Sequence, residues 1–132
     1  MSESRVHKAW GAVRVLVVED DPELRDLAVN LLEFLGYRTM VAPNGDAALA
    51  ILKAERGINL IFTDLVMPGR LDGLALAEEA RRLDLGVKIV FTSGYVGHAA
   101  LKQRLPGRQE VFVHKPYRTH ELATAIERAL AE

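Results

Sequence analysis

Residues 13–36 read VRVLVVEDDPELRDLAVNLLEFLG, and two periodicities meet within them. Val13 to Val18 is an almost unbroken apolar run, the pattern of a strand covered on both faces. Leu24, Leu27, Ala28, Leu31, Leu32 and Leu35 then recur at helical offsets, which predicts a helix with one apolar face turned to a core. Asp21-Pro22 supplies its start, an N-cap acid followed by proline at the first helical position, and Gly36 its stop. Asp21 is thereby read as a cap and not as a ligand. A buried strand leading through acids into an amphipathic helix is one βα unit of a parallel sheet.

The same alternation repeats along the chain. Further strands are expected at Tyr37 to Val41, Asn59 to Thr63, Lys88 to Thr92 and Val111 to His114. Asn44 and Thr119 are the expected N-caps of the second and fifth helices. The third helix runs from near Leu74 to Leu83 with Leu76, Ala80 and Leu83 inward, and a short fourth one falls within Gly97 to Leu105, ended by Pro106-Gly107. Leu122, Ala125, Ile126, Ala129 and Leu130 mark the inner face of the fifth. Parallel strands joined by helices cross over right-handedly, which leaves few topologies for five units. The expected fold is α/β, a three-layer flavodoxin-like (βα)5 doubly wound parallel sheet with strand order 2-1-3-4-5. Residues 1–12 read as an N-terminal extension and 13–132 as the domain.

At 132 residues there is room for one domain, so any response is expected to be executed by another molecule. Hydrophobic residues at 49% and charged residues at 27% exclude a disordered chain. With no cysteine, a disulfide framework, a thiolate zinc site and a thiol nucleophile are all excluded. Seventeen Lys and Arg against eighteen Asp and Glu give a net charge of -1, which points to neither nucleic acid nor an anionic membrane. No apolar stretch approaches the roughly 20 residues of a membrane span, and no hydrophobic leader opens the chain, so a cytoplasmic location is expected. The near-neutral sum hides polarity: six acids against Arg25 alone between Glu19 and Glu33, and a basic stretch from Lys102 to Arg118.

In open parallel sheets, ligands bind where the strands end, beside the point at which strand order reverses. The first strand ends in Glu19-Asp20, the third in Asp64, the fourth in Thr92-Ser93 and the fifth in Lys115. Uncompensated carboxylates in one place need raised pKa values or a bound cation. Hard oxygen ligands without His or Cys suit Mg²⁺, which takes one or two carboxylates and leaves room for phosphate oxygens. Asp64 beside such an ion is a carboxylate nucleophile placed to accept a phosphoryl group as an acyl phosphate. Glu19 and Asp20 then hold the metal, while Lys115 and Thr92 meet phosphoryl oxygens.

The motifs VLVVEDDPELR, LIFTDLVMPG, IVFTSGY and FVHKPY, in this order and spacing, resemble the receiver domains of two-component response regulators. The resemblance covers residues 13–132. It implies phosphotransfer from a histidine kinase or histidine phosphotransfer protein, dependence on Mg²⁺ and a bacterial two-component phosphorelay. By motif it implies Asp64 as phosphoacceptor, Asp20 as direct metal ligand, Glu19 acting largely through water, and the Val66 backbone carbonyl as a further ligand. It also implies Thr92 and Phe112 as a switch pair, Lys115 as the site lysine, and Pro116 after a peptide that is often cis. Signalling is expected through the face of the fourth helix, fifth strand and fifth helix to an unknown output protein. The domain itself is expected to be a monomer or weak dimer, and no enzyme beyond its own phosphotransfer and slow autodephosphorylation.

Three departures from the family pattern stand out. Glu19 replaces the usual Asp, one extra residue separates Met67-Pro68 from Asp72-Gly73, and Phe112 stands where Tyr is frequent. Two other readings compete. A phosphohydrolase of the haloacid-dehalogenase type also uses an Asp nucleophile with Mg²⁺, but it needs an acid/base carboxylate two residues on, where this chain has Val66. A pseudo-receiver that only binds partners would not need the full acidic set. Taken singly, Thr92 is a strand-ending β-branched residue, Phe112 a core aromatic, Lys115 a solvated charge and Pro116 a turn marker, so the case rests on their convergence.

Overall fold

Each short run of Val, Ile, Leu and Phe becomes a buried strand. The structure, a computed structural model, describes residues 13–67, 69, 71–83, 86–94 and 110–132. The strands are β1 (Arg14–Val18), β2 (Arg38–Ala42), β3 (Leu60–Asp64), β4 (Lys88–Ser93) and β5 (Val111–His114). They pair in parallel in the order β2-β1-β3-β4-β5, as expected. Three helices, α1 (Pro22–Phe34), α2 (Gly45–Ala54) and α3 (Gly73–Arg82), connect β1 to β4, and the C-terminal helix (Thr119–Ala131) follows β5. The helix expected at 97–105 lies outside the described residues.

Strand alternation divides the core into two layers. Val15, Val17, Leu60, Phe62, Val90, Val111 and Val113 pack with Ala28 and Leu32 of α1 and with Leu122, Ala125, Ile126 and Ala129 of the C-terminal helix. Leu16, Val18, Ala42, Ile61, Ile89 and Phe91 pack with α2 and α3 through Ala48, Leu52, Leu74, Leu76, Ala77 and Ala80. Helices on both faces of one parallel sheet make the three layers.

The helix boundaries follow their caps. Asp21 accepts from the N–H groups of Glu23 and Leu24, at 2.9 and 3.3 Å, and Pro22 opens α1. Its far end closes through Gly36, at φ 98°, whose N–H donates to Glu33 while that of Tyr37 donates to Leu32; the left-handed turn is cheap only for glycine. Asn44 caps α2 and Asp72 caps α3, each through an N–H donated at 2.8 Å.

Two expectations need correction. Thr119 is not the cap of the C-terminal helix but its first residue; Arg118 stands at the cap, and the Glu121 carboxylate reaches back to its N–H at 2.7 Å. Leu24 and Leu27 are not core residues, being 39% and 51% exposed. The first turns of α1 overhang the carboxyl edge, where β1 has ended at Val18, so helical phase is right but no sheet lies beneath them.

Candidate functional site

Glu19, Asp64 and Thr92 continue the alternation of the strands they close. They are in phase with Val15 and Val17, with Leu60 and Phe62, and with Val90, which places all three on the side of α1 and the C-terminal helix. Asp64 pairs in register with Thr92, and Val18 with Thr63, so Glu19 and Asp64 stand level at adjacent strand ends. Glu19, Asp64 and Thr92 are buried, at 5%, 8% and 3% exposure, whereas Asp20 is exposed. Carboxylate oxygens of Glu19, Asp20 and Asp64 lie within 4.8 Å of one another.

Lys115 bridges two of these acids. Its Nζ donates to Glu19 Oε1 and to Asp64 Oδ2, each at 3.0 Å. The Lys115–Pro116 peptide that turns the chain here is cis. Glu19 Oε2 accepts from the Asp21 N–H at 3.1 Å, so both of its oxygens are committed. Asp20 accepts no hydrogen bond among the described residues, which leaves its carboxylate available.

One ammonium among three carboxylates leaves two negative charges unbalanced. Burial, the largest influence, raises the Glu19 carboxyl above its ordinary range; the hydrogen bonds from Asp21 and Lys115 pull it down, and the charge of Asp64 pushes it up again. For Lys115, burial acts to lower the ammonium, but the hydrogen bonds to Asp64 and Glu19, with their charges, outweigh it and leave it raised. The charge count, one ammonium against three carboxylates, leaves the cluster short of positive charge. A divalent cation held by oxygen ligands fits that deficit.

Thr92 Oγ1 is buried and has no hydrogen-bond partner among the described residues. A buried hydroxyl left unpaired costs about 1–3 kcal/mol, so a polar atom arriving beside Asp64 would find a donor in place. Asp64 itself is held from behind. Its backbone carbonyl accepts from Thr63 Oγ1 at 2.9 Å, and Gly73 packs so closely on it that a Cβ there would collide with the Asp64 carbonyl. Gly73 was missed in the sequence, where Asp72-Gly73 marks only the far end of the loop after the third strand.

Val66, two residues beyond Asp64, has a side chain 60% exposed. Its carbonyl enters no backbone hydrogen bond among the described residues. The extra residue expected in this loop falls near Pro68 and Arg70, which lie outside the described residues. Phe112 pairs in register with Phe91 and packs with the layer of α2 and α3, one position out of phase with Thr92; its ring meets His114 edge-on at 4.9 Å. An open pocket of about 350 Å³ adjoins the acids, lined by Glu19, Leu24, Leu27, Lys115, Pro116 and Tyr117. Tyr117 packs edge-on against Phe62 at 5.7 Å, and burial pushes its hydroxyl up to about 12. Among the described residues no helix is long and apolar enough to cross a membrane.

The chain is similar to known proteins over most of its length. The receiver protein CpdR of Brucella abortus (strain 2308) is 34% identical over 117 residues, covering 89% of this chain and 96% of CpdR. The sensor kinase CckA of the same strain is 33% identical over 132 residues, covering 97% of this chain but only 14% of the kinase. Among solved structures, the receiver domain of the hybrid histidine kinase CckA superposes with a TM-score of 0.72 at 32% identity, over 89% of this chain and 98% of that one. A receiver protein from Sinorhizobium medicae WSM419 superposes with a TM-score of 0.79 at 26% identity, over 91% and 95% of the two chains. The family profile of the response regulator receiver domain matches residues 15–127, and the chain belongs to that family.

Proposed function

We propose that Asp64 accepts a phosphoryl group from the phosphohistidine of a histidine kinase or histidine phosphotransfer protein. The observation that carries this reading is the setting of Asp64: a nearly buried carboxylate with an ammonium 3.0 Å away and an unpartnered hydroxyl in register beside it. An Asp64 oxygen forms a bond to phosphorus as the phosphorus–nitrogen bond to the donor breaks, the imidazole leaves, and an acyl phosphate results. Lys115 exchanges its contact with Asp64 for a phosphoryl oxygen, and Thr92 donates to another. Asp20, Glu19, Asp64 and the Val66 carbonyl would hold Mg²⁺, which when bound neutralises charge on the transferring oxygens. The chain performs this transfer and a slow autodephosphorylation, with no turnover of an external substrate. The haloacid-dehalogenase alternative has no support, since Val66 offers no acid/base group and the chain belongs to a different family.

Phosphorylation is read out at the other flank. A shallow hollow of about 360 Å³ runs between β5 and the C-terminal helix, with Phe112, His114, His120 and Thr124 on its walls. Movement of Thr92 towards the phosphoryl group and an inward turn of Phe112 would remodel this face for an output protein, in the cytoplasm, by selecting one of two pre-existing forms. The test is labelling by a small-molecule phosphodonor such as acetyl phosphate with Mg²⁺. Asp64→Asn is expected to abolish it, and undiminished labelling of that variant would sink the assignment.

A further inference from the structure

Arg25 is the lone cation among the acids of residues 19–33 and closes the first turn of α1, where the helix dipole disfavours positive charge. No ion pair joins it to a carboxylate among the described residues. Its Nη1 donates instead to the backbone carbonyl of Glu19 at 3.0 Å. That carbonyl belongs to the peptide linking Glu19 to Asp20, the two acids that leave β1. Each other contact of this turn is local or comes from a strand end: the Glu19 N–H donates to Ala42, and the Asp21 N–H to the side chain of Glu19. Among the described residues, Arg25 is therefore the one side chain of α1 that ties the helix to the peptide between the two acids.

We infer that Arg25 is a positioning residue for the cation site: it fixes the Glu19–Asp20 peptide so that the exposed Asp20 carboxylate stays beside Asp64. The inference rests on the reading of Glu19, Asp20 and Asp64 as a Mg²⁺ site. Its strength lies in the sign of the effect. As a charge alone, Arg25 repels a divalent cation, and removing it would tighten binding. As a positioning group, its removal frees the peptide and weakens binding. Outer-sphere partners that orient a ligand are worth about tenfold or more in metal affinity.

The experiment is Mg²⁺ titration by calorimetry of the full chain, the parent against Arg25→Met, with metal-free thermal melting of both. Arg25→Met is expected to raise the Mg²⁺ dissociation constant about tenfold, and Arg25→Lys, which restores a donor and the charge, to recover most of the loss. Where methionine is not tolerated, Arg25→Gln serves with the same expectation, because its shorter amide stops short of the carbonyl. Equal or tighter Mg²⁺ binding by a folded Arg25→Met or Arg25→Gln protein would overturn the inference while leaving the site intact. Absence of Mg²⁺ binding by the parent would overturn the site and the inference together.

Discussion

At the residue scale, the two described positions from which a water beside the acid cluster would be held carry no polar side chain. Hydrolysis of an acyl phosphate needs a water oriented for attack, and the two positions that flank Asp64 and Thr92 two residues on are Val66 and Gly94. Val66 is apolar and largely exposed, and Gly94 has no side chain. Slow loss of the phosphoryl group is therefore expected, on a scale of minutes or longer at neutral pH, and a lifetime of seconds would refute this. The converse can be built, because a Cβ at Gly94 would meet no described residue within 4 Å. Val66→Asn combined with Gly94→Asn is expected to speed dephosphorylation about tenfold, short of the roughly 10²-fold of a well-placed base; phosphate release from the labelled protein measures it. The acids and Lys115 were legible in the sequence because strand ends are legible, and a strand end determines where its next side chain goes. Arg25 was not, since a side-chain bond to a backbone carbonyl leaves no pattern in composition or spacing.

At the element scale, α1 shows what periodicity can and cannot deliver. Asp21 caps the helix through its own side chain, and Pro22 and Gly36 act through their own backbones, so both ends of the helix could be read locally. Which turns of the helix lie over the sheet depends on where β1 stops, and that is a tertiary fact; Leu24 and Leu27 keep the phase of core residues without the cover. The run expected as the second strand is broken by Arg38 and Thr39 for a related reason: β2 is an edge, and Arg38 and Val41 are exposed. The uncovered leucines have a use under the proposed function. They border the pocket that holds Glu19 and Lys115, so a protein donor reaching Asp64 must pass over them, whereas a small phosphodonor need not. Leu27→Asp is expected to slow transfer from a histidine phosphotransfer protein about tenfold, the weight of one interface residue contributing more than 1 kcal/mol. Labelling by acetyl phosphate should be unaffected. Equal slowing with both donors would place the defect in the site and not in docking.

For the whole molecule, the site's charge is balanced against the core beneath it, and the balance is visible at high pH. Tyr117 packs its ring on Phe62 in the core; burial is the largest influence that keeps its hydroxyl protonated, the charge of Lys115 opposes it, and the charges of Glu19 and Asp64 add to it. An unfolded tyrosine ionises near 10, whereas in the folded chain Tyr117 is pushed up to about 12. The folded state then holds a proton that the unfolded state has lost, so the associated stability is intact below about pH 10 and falls as pH rises towards 12. Lys115 is also raised, by its hydrogen bonds to Asp64 and Glu19 against the effect of burial, and its pairing is lost in the same direction above its ordinary range near 10.5. Burial raises Tyr37 likewise. Urea unfolding at pH 9 and at pH 11.5 should show the parent losing stability between them. Tyr117→Phe removes one of the three contributions, about 1 kcal/mol after allowing for solvent screening of a partly exposed ring. The variant should therefore match the parent at pH 9 and exceed it at pH 11.5, and parallel loss in both would show that Tyr117 does not couple the core to the acid cluster.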